Sequence, residues 1–266
     1  TEEIQPSNEA TLVRLAAAVA QGRDSRIEVV RFDEVPDQLP LEPAMADLSA
    51  GDQAFEERMQ ALQDELPVQL EYGEIVSHDL RHAIVNFADH HEADLIVIED
   101  VEDGVSGYVF EEDDEWIASH APCDVALVDP EGLEEPDTLA LVTDSGPFDP
   151  FKVEIADALA SEAGASLVLI QGLRADATDE QRRGLAAYHE ELADLCTVPV
   201  ESTVLEGDTV DAVVDSIPLL LYNRDDGLVA RLTGRPSNPV IEASDSLGIE
   251  VYSPARNRFG RSGRST

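Results

Sequence analysis

Histidines and carboxylates are the first groups in this chain that could do chemistry. His78 and His82 stand four residues apart, with His90, His91 and Glu92 one helix later. On one helix face that spacing can hold a metal ion. Nothing like HExxH accompanies them, and histidines near a helix end are more commonly surface groups, so no metal is expected. Five consecutive acids, Glu111 to Glu115, stand directly before a helical pattern, where many nucleotide-binding folds place a phosphate. Acids at a helix start stabilise it by ~0.3–1 kcal/mol each at low salt. The same carboxylates would repel a phosphate, so EEDDE reads as a helix start and not as an anion site. No GxSxG elbow is present, and a Ser/His/Asp triad drawn from 57 acids would arise by chance. No catalytic residue is therefore expected.

The elements that must position these groups fall into two sets. With 266 residues the chain suits two domains, since domains cluster near ~100–150 residues. Its 57 Asp and Glu against 17 Lys and Arg give a net charge of -40, but 43% of residues are hydrophobic and lie in periodic blocks. A folded core is expected despite the charge. Lys152 is the lone lysine, the other basic residues being arginine. Acid enrichment without lysine resembles the proteins of salt-in halophilic archaea, for which molar salt shortens the Debye length to ~3 Å and removes self-repulsion. Nucleic acid and anionic membranes are poor partners for such a body. Cys123 and Cys196 form no CxxC or disulfide framework, and a reducing cytoplasm is expected. Apolar runs such as IPLLLY fall far short of the ~20 residues a membrane helix needs.

Along the chain, helical spacing at Leu12, Leu15 and Val19 precedes the strand RIEVVRF (26–32). A helix with Phe55, Met59, Leu62 and Leu66 on one stripe, the edge-like VQLEYGEIV and a helix with Leu80, Ile84 and Phe87 follow. DLIVIED (94–100) reads as a strand buried on both faces, Trp116 and Ile117 as core, and DVALVD as the closing strand. Strands alternating with helices imply a parallel α/β sheet with right-handed crossovers. DPEGLEEPD is a linker, after which TLALVTD, a helix at 153–163, SLVLIQ, a helix at 180–195, the edge-like VPVESTVLEGD and PLLLYN repeat the order. Leu15, Val19, Ile27 and Val29 fall 140 positions before Ile155, Leu159, Leu167 and Leu169, the mark of one duplicated α/β unit. The expected domains are 1–130 and 138–254, a linker at 131–137 and a disordered basic tail at 255–266.

This order, with GDTVDAVVDS before a buried strand and HAPCDVALVD at a domain end, resembles the universal stress protein family over nearly the whole chain. The resemblance implies two tandem doubly wound parallel-sheet domains packed through their last strands. FDEVPDQLPLE (32–42) is more narrowly similar to the universal-stress-type region appended to amino-acid permeases of the amino acid-polyamine-organocation superfamily. Nucleotide-binding members of the family carry an Asp after the first strand and a glycine-rich phosphate loop, whose backbone N–H groups and helix dipole favour anions. In domain 1 the matching positions are degenerate: Gly104 and Gly107 remain, but Glu111 and Glu112 replace the Gly-Ser pair. In domain 2, Asp144 and Ser145 follow the first strand. GLVARLTGR supplies Gly227, Arg231, Gly234 and Arg235, although Arg235 replaces the family's serine, and Leu221 and Arg224 replace earlier glycines. An adenine nucleotide, ATP or AMP, is implied for domain 2 with Arg224, Arg231 and Arg235 near its phosphates. Pairing of those arginines with surface acids is the competing reading.

The family's central first strand has no counterpart before the helix at Leu12, where TEEIQPSN carries one large apolar residue, Ile4. Its loss leaves two buried strand edges unpaired. Either the chain is a piece of a larger protein, such as a permease tail with membrane helices upstream, or the strand comes from elsewhere. SGPFDP (145–150) resembles the SGGxDS loop of ATP pyrophosphatases, but Pro147 and Pro150 replace a needed glycine and serine. The expectation is a non-catalytic cytoplasmic regulatory module, the tail or partner of an amino-acid transporter, in cis or in trans and with homodimerisation open. The alternative is a free-standing nucleotide-binding universal stress protein.

Overall fold

The structure, a computed structural model, describes residues 6–41, 49–99, 111–128, 137–143, 149–173, 177–206, 220–223 and 248–252. Of the expected linker at 131–137, residues 131–136 lie outside them, as does the tail at 255–266. The first half runs α1 (Pro6–Gly22), β1 (Ile27–Glu34), α2 (Ser49–Glu65), β2 (Leu70–Ser77), α3 (Leu80–His90), β3 (Leu95–Glu99), α4 (Glu111–His120) and β4 (Asp124–Val128). The second runs β5 (Thr138–Val142), α5 (Asp149–Ala163), β6 (Ser166–Leu173), α6 (Asp179–Ala193), β7 (Val200–Glu206), β8 (Leu220–Asn223) and β9 (Gly248–Tyr252). The expected α/β class with parallel strands is what the chain adopts.

Local chemistry sets the helix ends. Thr178 caps α6 through a capping box, its hydroxyl accepting from Gln181 N at 3.2 Å while Gln181 Oε1 accepts from Thr178 N at 2.8 Å. Asp79 caps α3, accepting from His82 N at 3.1 Å. Helix α5 begins at Asp149, four residues before the sequence pattern suggested, because Pro150 suits a first turn whose N–H needs no partner. Three helices end alike. Asp24, Glu92 and Gly164 take positive φ of 51°, 54° and 67°, and each next residue donates back to the helix: Ser25 to Ala20 O, Ala93 to Ala88 O, Ala165 to Ala160 O. These are Schellman reversals, which turn the chain into the following strand.

Strands form two groups. β1 and β2 pair in parallel as a two-stranded sheet, while a seven-stranded sheet has the order β3-β4-β9-β8-β5-β6-β7. All its pairs are parallel except β4 with β9, where Val125 faces Tyr252 and Val128 faces Ile249. The closing strands of the two halves thus zip together. Period-two alternation sorts the side chains of β3 and β4: Leu95, Val97, Ala126 and Val128 join the main core, and Ile96, Ile98, Val125 and Leu127 pack on the other face. That main core contains Leu15 and Val19 of α1, Val153, Ile155, Ala156 and Ala160 of α5, and Leu139, Leu141, Leu167, Leu169 and Ile249 from the sheet. A second core under α2 gathers Val13, Ala17, Ile27, Phe55, Met59 and Leu70.

Two buried-residue expectations need correction. β3 is apolar at residues 95–98, yet every residue in it is only half-buried. Its outer edge carries no neighbouring strand among the described residues. Ile117 is fully buried, but Trp116 is half-buried, stacked on His120 at 4.0 Å and 10°, with Arg81 5.2 Å from its ring centroid. Its neighbours are cationic or polar, so it belongs to a surface stack.

Candidate functional site

In a parallel sheet, ligands bind beyond the carboxyl ends of strands at the point where the winding reverses. Here β5 is followed through α5 by β6 on one side, while β8 returns on its other side, so the reversal lies between β5 and β8. Both are parallel, and the chain leaves them at one edge after Thr143 and Asn223. The described part of that edge holds two buried polar groups of contacts.

The first is an ion pair. Lys152 Nζ lies 2.7 Å from Asp149 Oδ1 and donates to the Val142 carbonyl at 2.7 Å, with both side chains 1% exposed. One turn of α5 brings the pair together, and the Tyr188 hydroxyl donates to Asp149 Oδ2 at 2.8 Å. The single lysine is thus an internal strut from helix to strand end.

The second group centres on Thr143, fully buried, and His189, 1% exposed. Thr143 Oγ1 contacts the Ile170 carbonyl at 3.3 Å, Gln171 Oε1 at 3.1 Å and His189 Nε2 at 2.8 Å. The carbonyl and amide oxygens only accept, so the hydroxyl proton points to them and His189 Nε2–H donates to Thr143. His189 Nδ1 lies 2.6 Å from the Ser202 hydroxyl, from which it accepts when the ring is neutral. A neutral imidazole satisfies every member of that chain. Burial agrees, pushing the His189 pKa below its ordinary 6.5 against a smaller opposing pull from Asp149.

Beside this edge a groove of about 390 Å³ is lined by Gln171, Leu173, Gln181, Gly184, Leu185 and Tyr188. Gln171 touches both the groove and the Thr143 network. Mutually satisfied buried groups such as Asp149, Lys152, Thr143 and His189 hold a strand end rigidly.

Of the residues read from sequence, Asp144, Ser145, Arg224, Gly227, Arg231, Gly234 and Arg235 lie outside the described residues, as do Gly104 and Gly107. Glu111 and Glu112 open α4, so the acidic run does begin a helix. Asp113 accepts from Arg81 at 3.4 Å. The histidines find separate roles. His78 precedes the α3 cap and its Nδ1 contacts the Val35 carbonyl at 3.0 Å, His82 pairs with Asp79 at 2.9 Å, and His91 pairs with Glu28 at 2.8 Å. Among the described residues no three His, Cys, Asp or Glu side chains gather as a metal site. Sequence reasoning missed Thr143, Asp149, Gln171, His189 and Ser202; the one signal was a lone lysine in an arginine-only background.

Comparison with known proteins gives these contacts a setting. Residues 5–129 match the model of the universal stress protein family. No curated protein matches the chain. Among solved structures, the cytoplasmic domain of a prokaryotic cation chloride cotransporter is similar at 18% identity and a TM-score of 0.57, covering 91% of this chain and 92% of that one. A universal stress protein from Archaeoglobus fulgidus is similar at 11% identity and 0.55, covering 91% of each. A protein of unknown function from Pseudomonas aeruginosa is similar at 16% and 0.52, covering 90% of this chain and 86% of that one. No helix among the described residues is long and apolar enough to cross a membrane. The chain therefore shares the α/β fold of universal stress proteins, and residues 5–129 carry that family's domain.

Proposed function

We propose that this chain is a non-catalytic regulatory module of an amino-acid transporter, cationic amino acids being the expected cargo. It would be joined to the transporter in cis or bound in trans, as two tandem universal-stress-type domains on the cytoplasmic side. It takes an adenine nucleotide, ATP or AMP, in its second domain. The observation that carries the reading is the β4–β9 seam, which makes one sheet of strands from both halves. An event at the β5/β8 edge is thereby coupled mechanically to the first half. Likeness in fold to a transporter's cytoplasmic domain over 91% of the chain is compatible with it, and the permease assignment rests on FDEVPDQLPLE. Absence of catalysis is supported by the enclosure of Lys152 and His189.

In the first domain five acids open α4 where a phosphate would sit, so the nucleotide belongs to the second, with Asp144, Arg224, Arg231 and Arg235 as its contacts. Titration calorimetry of the full chain in molar KCl tests this with ATP, AMP and cyclic AMP. Saturable heat that is lost in Arg231→Ala and Arg235→Ala supports it, and no heat with any of the three removes the nucleotide. The transporter is tested by the reading frame that encodes Thr1. Ten to twelve upstream apolar segments of ~20 residues, or a neighbouring permease gene, support the reading. Nucleotide binding with neither would favour the free-standing stress protein, a reading the Archaeoglobus fulgidus likeness also suits.

A further inference from the structure

Two consecutive residues of α6 hold two consecutive residues where β5 ends. Tyr188 donates to Asp149 Oδ2 at 2.8 Å, Asp149 Oδ1 pairs with Lys152 at 2.7 Å, and Lys152 donates to the Val142 carbonyl at 2.7 Å. His189 reaches the next residue directly, at Thr143 Oγ1. Thr143 is tied to β6 as well, its N–H donating to the Ile170 carbonyl at 2.8 Å. The sequence continues from Thr143 into Asp144 and Ser145, so α6 fixes the point from which the chain leaves β5.

The two ties differ in how they meet a proton. Lys152 and Asp149 are matched charges, each 1% exposed. The carboxylate that pulls on His189 is that same Asp149, already paired with Lys152. Thr143 of β5, Ser202 of β7 and the Tyr188 ring 6.4 Å away are uncharged. A neutral imidazole therefore leaves this enclosed set balanced, and a protonated one adds a positive charge at a place 1% exposed. Hydrogen bonds do not decide between the two, because the Ser202 hydroxyl can turn to accept from a protonated Nδ1. Desolvation does: a buried cation without a carboxylate to itself is stabilised by meeting water. The smallest movement that brings it water is separation of His189 from Thr143. Burial already holds the ring's pKa below its ordinary 6.5.

We propose that His189 is a proton-sensitive positioning residue: taking up a proton parts α6 from Thr143, frees the end of β5 and so disfavours nucleotide at the site beyond it, on the reading that an adenine nucleotide binds beside Asp144. By linkage the effect runs both ways. Acid opens the β5 end, and a bound nucleotide, by holding that end in place, drives the proton off His189.

Exchange of the Thr143 amide in the full chain in molar KCl reads the opening, with Leu141, 0% exposed in mid-strand, as its reference. An opened imidazole regains its ordinary 6.5, and at pH 5.0 its protonated form outweighs the neutral one by about thirtyfold. Between pH 7.5 and 5.0 the protection of Thr143, corrected for intrinsic exchange, should therefore fall by about ten- to thirtyfold. At pH 5.0 it should lie at least about tenfold below that of Leu141, the mark of local opening rather than global unfolding. His189→Gln, which stays neutral, should remove the fall. ATP at about ten times its Kd should restore about tenfold protection at pH 5.0. In the native sequence, with no variant needed, ATP should also move the nitrogen-NMR titration of the His189 ring to lower pH. Protection of Thr143 that matches Leu141 at both pH values, or that falls equally in His189→Gln, would overturn the inference. ATP heat at pH 7.5 with no change at Thr143 and no shift of the ring's titration would overturn the coupling and leave the nucleotide reading standing. No ATP heat at pH 7.5 would remove that reading and the coupling with it, whatever Thr143 does.

Discussion

Lys152 and Asp149 form an ion pair at 2.7 Å with both side chains 1% exposed, and the ammonium also holds the Val142 carbonyl. Removing one partner strands the other in a medium that cannot solvate it, at a cost of about 3–5 kcal/mol. Lys152→Met or Asp149→Asn should lower stability by that amount in chemical denaturation. Replacing both by apolar residues should recover most of the loss. In the native protein an amine-reactive ester should leave Lys152 unmodified, with labelling appearing only on unfolding.

His189 sets a pH dependence whose sign follows from burial. Its pKa lies below the ordinary 6.5 in the folded state, so at mildly acidic pH the unfolded chain binds a proton that the folded chain does not. Stability is full above 6.5 and falls as pH drops from there through the lowered folded value. The slope approaches ~1.4 kcal/mol per pH unit at most. Denaturation midpoints between pH 7.5 and 5.5 should therefore slope more steeply in the native sequence than in His189→Gln.

The Cys196 thiol is pushed up to about 11, first by burial and then by Asp157, and Cys123 is buried. The thiolate is the reactive form. Native protein should react slowly with a disulfide reagent at pH 8, and the Cys196 rate should keep climbing with pH past 10. A rate that levels off near pH 9 would mean an ordinary thiol.

Ile249 is 0% exposed and pairs with Val128 across the seam and with Leu221 of β8. Leu15 and Val19 from the first half share its core with Leu139 and Ile155 from the second. Trp116 fluorescence, which reports the first half, should unfold together with overall ellipticity in one transition. Ile249→Ala should cost about 2–5 kcal/mol. If the fluorescence change also separates from the ellipticity change in that variant, the seam is what couples the halves.

Much of the architecture was legible because it rests on local pattern. Apolar runs at 139–142 and 167–170, the stripe Phe55, Met59, Leu62 and the 140-residue offset all became elements where expected. β9 was harder, since Gly248–Tyr252 is short and interrupted by Glu250, and β4 and β8 on either side supply its pairing. The half-burial of β3 could not be read from LIVIE, because exposure depends on a neighbour, not on the strand's own residues. The site divided in the same way. Asp149 and Lys152 are three apart, but Thr143 and His189 meet across 46 positions, a contact to which no local spacing points.

Because β4 and β9 run antiparallel, β3 and β4 point opposite to the strands of the second half. The carboxyl end of β3 and those of β5 and β8 therefore lie on opposite rims of the seven-stranded sheet. A small molecule held on one rim and a protein docked on the other would never compete for space. The continuous hydrogen-bonded sheet between the rims would be the path by which either sensed the other.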